Sequence, residues 1–136
     1  MKHRYGKAAV VALGAVVIGG VSLTTLPPPD SACAQEVTSF ADDVMPIFRG
    51  RCVGCHQIGG EGYEKSGLDL TTYAGVMKGT KFGPMVIPRD PDSSNLIWLL
   101  DWRGSPELRM PHGKKKLSVC DRSAIRAWII EGAKDN

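Results

Sequence analysis

Cys52-Val53-Gly54-Cys55-His56 is the stretch on which the reading of this chain turns. Two thiols three residues apart share one face of a helical turn, and an imidazole four residues after the first thiol falls beside them. A flat ring with two reactive vinyl groups on one edge can be gripped by such thiols, while the imidazole reaches under it to a metal at its centre. The pattern is C-x-x-C-H, the attachment signature of c-type haem. It predicts Cys52 and Cys55 as covalent thioether anchors and His56 as the proximal iron ligand. Covalent attachment also retains the haem on a domain too small to enclose it by packing alone.

Three other readings compete for the same residues. Cys52, Cys55, Cys120 and His112 supply enough donors for a zinc site. A thioredoxin-like C-x-x-C wants a βαβ setting, and no alternating strand pattern appears. A disulfide between Cys52 and Cys55 is geometrically poor on a helix. The N-terminus weighs against zinc, because it points out of the reducing cytosol. Lys2, Arg4 and Lys7 precede an uncharged stretch of 19 residues from Ala8 to Leu26, followed by Pro27-Pro28-Pro29 and Ala32-Cys33-Ala34. This order reads as a secretory signal peptide over residues 1–34, cut after Ala34. The apolar stretch is nearly long enough to span a bilayer, so an uncleaved anchor stays open. Cys33 raises lipidation, although Asp30 sits where a lipobox wants an apolar residue. All three place the domain outside the cytoplasm, in the periplasm, and only the last two give it a membrane contact.

Without residues 1–34, Lys and Arg fall from 17 to 14 and Asp and Glu from 14 to 13, leaving about +1. That balance, with no basic stretch interleaved with aromatics, gives no case for nucleic acid. About 102 residues remain, enough for one domain with a modest core. Glycine and proline are abundant, so a large buried cofactor is expected to supply part of that core.

Working outward from the motif, Phe40, Val44, Ile47 and Phe48 fall at helical spacing over residues 40–51. Thr38 or Ser39 caps this helix, and Pro46 marks a bend or a restart. Residues 57–67 read as a glycine-rich polar loop, and Thr71 to Met77 as one or two helical turns ending at Gly79. A helix from a cap at Asp92 or Ser93 is expected to reach Trp102. Ser118 and Asp121 resemble a capping box, and a last helix presents Val119, Ile125, Trp128 and Ile129 before Gly132 ends it. The fold class is all-α: a small domain of about three to four helices with long loops around one covalent haem, over residues 35–136.

The distal ligand is a separate question, with Met45, Met77, Met85, Met110 and His112 as candidates. Met110 sits in Arg109-Met110-Pro111-His112-Gly113, where proline and glycine suit a loop holding a thioether against a flat ring. Gap-filling by Met110, ligation by His112 and an open sixth position remain alternatives. Cys120 reads as a small buried or half-buried residue in the first turn of the last helix. The three tryptophans read mostly as core, with one indole available to a haem propionate, as Arg89 or Arg109 is.

Val44-Met45-Pro46-Ile47-Phe48, the C-x-x-C-H motif, Gly67-Leu68-Asp69-Leu70, Gly83-Pro84, Val86-Ile87-Pro88, Met110-Pro111 and Leu117-Ser118 together resemble a class I-type cytochrome c domain. More narrowly, they are similar to the small planctomycete-type cytochrome c domains, over about residues 40–133. The resemblance implies that Met110, of the Met-Pro pair, is the distal iron ligand. It departs from the family at Arg89, where glycine is common, and at Cys120, a position usually polar.

The expected function is outer-sphere transfer of single electrons by a periplasmic carrier that is not itself an enzyme and has no catalytic residues. A cytochrome subunit of a periplasmic oxidoreductase and a haem-based sensor or ligand-binding protein are the alternatives. Lys114, Lys115 and Lys116 follow the proposed ligand loop and are expected to dock an acidic redox partner, against the plainer reading of a solvated charge run.

Overall fold

The computed structural model describes Cys33 and residues 37–136. The expected leader, Cys33 apart, lies outside the described residues. Among the described residues no helix is long and apolar enough to cross a membrane.

The chain enters through one π-helical turn, Phe40–Val44, which runs straight into α1, Met45–Arg51. Ser39 caps the entry by accepting the Asp42 N–H, and Asp43 accepts the Ser39 N–H in return. Pro46 stands in the first turn of α1, where its missing N–H costs nothing, so the proline marks a restart. Four further α-helices follow: α2 Glu61–Ser66, α3 Tyr73–Lys78, α4 Asn95–Leu100 and α5 Val119–Ile130. A single 3₁₀ turn, Pro106–Leu108, interrupts the loop before α5. The all-α class holds, with five α-helices among the described residues where three to four were expected.

The additional element is α2, in the stretch read as a polar loop. Glu61 and Lys65 pair across one turn at 2.6 Å, and Gly67 ends the helix in the left-handed region at φ 75°. Helix α4 ends two residues earlier than expected, and Trp102 leaves it at φ 60°. Neither Asp92 nor Ser93 caps it. The buried Ser94 takes the cap position, and its hydroxyl accepts the Ile87 N–H at 2.8 Å and donates to the Asp90 carbonyl at 2.7 Å. The Ser118–Asp121 capping box of α5 is present. Ile125, Trp128 and Ile129 are buried, but Val119 is 50% exposed. Six residues before Ile125 is more than one and a half turns, which swings Val119 to the opposite face.

The core is the contact of the entry segment with α5. Phe40 meets Tyr73 and Trp128, each at 5.2 Å between centroids, and Phe48 closes the cluster. The two ends are clasped in the same place. Asn136 accepts from Phe40 N and Ser39 Oγ, and Glu131 accepts the Thr38 N–H at 2.9 Å. Thus the described residues form a continuous apolar cluster. Cys52, Val53 and Met110 pack half-buried against that cluster.

Cys120 departs most from expectation. It is exposed and disulfide-bonded to Cys33, 87 residues earlier in the chain. First-turn placement on a short exposed helix face leaves its sulfur accessible to the incoming N-terminal segment.

Candidate haem-attachment site

The motif begins where α1 ends. Cys52 donates to the Phe48 carbonyl at 2.8 Å, and its own carbonyl accepts from Cys55 and His56, each at 3.0 Å. These bonds carry the helical register one turn past α1. The i, i+3 and i+4 relation of the two thiols and the imidazole therefore survives although the residues lie in a turn. Both thiols are free. Cys52 is half-buried, and burial pushes its thiol up to about 11, with Arg51 and Lys114 pulling weakly the other way. The thioredoxin-like reading fails on fold, since no strand is present among the described residues.

His56 is seated on α2. A methyl group on Gly62 would fall 2.7 Å from Cε1 and 2.9 Å from both ring nitrogens, so only glycine lets the imidazole lie there. Burial lowers the His56 pKa, opposed by the backbone of Leu68, and keeps the ring in the neutral form that binds metals. The contact with Leu68 is no full hydrogen bond, since Nδ1 is buried without a partner.

The Met110 loop is tied to this site at three points. Arg51 donates through Nη2 to the Lys115 carbonyl at 2.9 Å, bridging 64 residues. Lys114 is near enough to act on the Cys52 thiol. His112 is near enough to help hold the Glu61 carboxyl below its usual range, behind the larger effect of Lys65. Met110 itself is half-buried against the core, Met45 and Met85 are buried within it, and Met77 packs at its edge. Arg109 stacks over Trp102 at 5.5 Å and keeps a buried Nε without a partner.

Other expectations resolve differently. The indoles of Trp102 and Trp128 donate to the carbonyls of Met110 and Lys134, each at 2.8 Å, so neither is free for a propionate. Lys116 donates to the Asp101 carbonyl at 2.8 Å and lies over Trp102, whereas Lys114 and Lys115 are exposed. The zinc set falls apart because Cys120 is bonded to Cys33, and among the described residues no three His, Cys, Asp or Glu cluster as metal ligands. The seat on Gly62, the Arg51 bridge and the stacked Arg109 had no signal in the sequence, since each is a contact made by folded loops and not by a periodic pattern or motif.

Residues 52–112 match the family model described as Planctomycete cytochrome C. The match opens on the first motif cysteine and closes on His112, so it contains both the C-x-x-C-H turn and the Met110 loop. No curated protein and no solved structure matches the chain. The match supports a planctomycete-type cytochrome c domain over this stretch, and such a domain suggests haem and a role in electron transfer. The free thiols, the neutral imidazole and the unpartnered Arg109 nitrogen are the donor set such a group uses.

Proposed function

We propose that the chain is a periplasmic electron-transfer protein carrying one haem, held through thioethers to Cys52 and Cys55, with His56 and Met110 as axial ligands. The observation that carries this reading is the tethering of the Met110 loop to the motif turn through Arg51 and Lys115. The bound group supplies a one-electron ferric–ferrous couple. The protein's residues do the rest. Cys52 and Cys55 anchor one ring edge, and Gly62 fixes the plane of His56. Met110 offers a thioether, which favours a higher potential than a second histidine. The free Nε of Arg109 is a donor for a propionate carboxylate. Lys114 and Lys115 offer an acidic partner a landing site. A leader within residues 1–34 directs export, in keeping with an attachment chemistry that needs a dedicated compartment.

The test uses protein from an exporting host competent in haem attachment. Haem-peroxidase staining of a denaturing gel should give a band near the mature mass, and acid-acetone should not extract the haem. The ferric protein should show the weak far-red sulfur-to-iron band. Met110→Ala should abolish that band and lower the potential. Extractable haem would overturn covalent attachment. A band that survives Met110→Ala but not Met77→Ala or Met85→Ala would overturn the distal ligand. Carbon monoxide binding to the reduced wild type at neutral pH would favour a ligand-binding protein over a carrier.

A further inference from the structure

Both main-chain polar groups of Met110 are taken by the end of α4. Its N–H donates to the Leu99 carbonyl at 3.2 Å. Its carbonyl accepts the Trp102 indole N–H at 2.8 Å. Met110 has no helix or strand of its own, so these two bonds fix its backbone. The indole reaches the carbonyl because Trp102 leaves α4 in the left-handed region, at φ 60°. A non-glycine residue is strained there, and surrounding contacts must hold it. They do so from the residues around it. Its own N–H donates to Leu99 at 3.2 Å, and the ring lies under two cations, Arg109 at 5.5 Å and Lys116 at 5.7 Å. Lys116 is in turn fixed to the Asp101 carbonyl.

We infer that Trp102 is a positioning residue for the distal ligand: its indole N–H clamps the Met110 carbonyl and so resists release of the thioether from the iron. The inference rests on Met110 being that ligand. Release of the thioether by displacement of the Met110 segment breaks the indole bond along with the Leu99 bond. A neutral hydrogen bond of this kind contributes about 0.5–1.5 kcal/mol net, which corresponds to a roughly twofold to tenfold change in the equilibrium between closed and open sixth position.

The experiment compares holoprotein of the wild type, Trp102→Phe and Met110→Ala by titrating the ferric form with imidazole, which competes for the sixth position. Phenylalanine keeps a ring for Arg109 and Lys116 but has no N–H. Trp102→Phe should retain the far-red band yet bind imidazole roughly twofold to tenfold more tightly than wild type. Met110→Ala should lack the band and bind imidazole far more tightly. Unchanged imidazole affinity in Trp102→Phe, with Met110→Ala behaving as stated, overturns the role of Trp102 alone. Lower global stability in Trp102→Phe with unchanged imidazole affinity means a purely structural role and overturns it equally. An unaltered band in Met110→Ala instead overturns the ligand assignment beneath it. Should Trp102→Phe fail to fold, hydrogen exchange in the wild type reads the same bond. The Trp102 indole proton should be protected in the Met-ligated protein and should exchange faster with excess imidazole bound. Equal exchange rates in the two forms overturn the clamp.

Discussion

Arg89 sits at φ 66°, a region that favours glycine, with its N–H donated to the Ile129 carbonyl at 2.8 Å. The side chain is exposed, so no burial offsets the strain. The glycine common in similar domains at this position therefore has a backbone reason. Arg89→Gly should raise stability by about 1 kcal/mol, as read by chemical denaturation, with the haem spectrum unchanged. A destabilised variant would show that the arginine makes a compensating contact. At this scale the sequence is most legible where chemistry fixes spacing: two thiols and an imidazole must stand at 52, 55 and 56 to meet one ring. Gly62 and the stacking of Arg109 are opaque by comparison. What makes each of them matter is a ring brought against it by the fold, His56 in one case and Trp102 in the other.

Helices α4 and α5 meet over Asp101. Its carboxylate accepts from Arg122 at 2.6 Å and from Arg126 and Arg103 at 3.1 Å each. Burial alone would push the carboxyl up, but the hydrogen bonds from Arg122 and Arg126 outweigh it and hold it below the usual range. A carboxyl depressed in the folded state contributes its full stability above the unfolded pKa of about 3.9 and loses it as the pH falls through the folded value. Asp101→Asn should cost roughly 1–3 kcal/mol at neutral pH, because two half-buried guanidinium groups lose their anionic partner and one meets an amide N–H in its place. The gap between variant and wild type should begin to narrow below about pH 4 and close only below the lower folded value. Denaturation curves at two pH values check both statements. Elements with a strong apolar period or a capping box, α1 and α5, were readable from the chain. Helix α2 was not, because among the described residues it buries no apolar side chain and its signals are a lone Glu61–Lys65 spacing and the stop at Gly67. The end of α4 was missed for another reason: leucine and tryptophan continue a helical pattern, and only tertiary contacts turn the chain at Trp102.

For the molecule as a whole, the all-α class followed from the sequence, while the clasp of Ser39 and Phe40 by Asn136 did not. Polar terminal residues carry no periodic signal. The charge run after the loop divides into two exposed lysines and one that is bound to the fold. Lys114→Glu with Lys115→Glu should slow reduction by an acidic donor at low ionic strength and leave the potential nearly unchanged, since rim charges act on encounter. Stopped-flow rates across a salt series check this, and equal rates for variant and wild type would mark the run as ordinary surface. The disulfide from Cys33 to Cys120 has a consequence for how many polypeptides the exported protein contains. A peptidase that cuts after Ala34 with this bond closed does not free the domain from its leader; it yields two chains cross-linked at α5, and reductant alone would part them. A one-chain product that keeps the bond must start at or before Cys33. Intact-mass spectrometry should find a single chain of that kind, heavier by two hydrogens after reduction and no smaller. Cys120→Ser, which opens the long loop, should lose roughly 2–4 kcal/mol of stability.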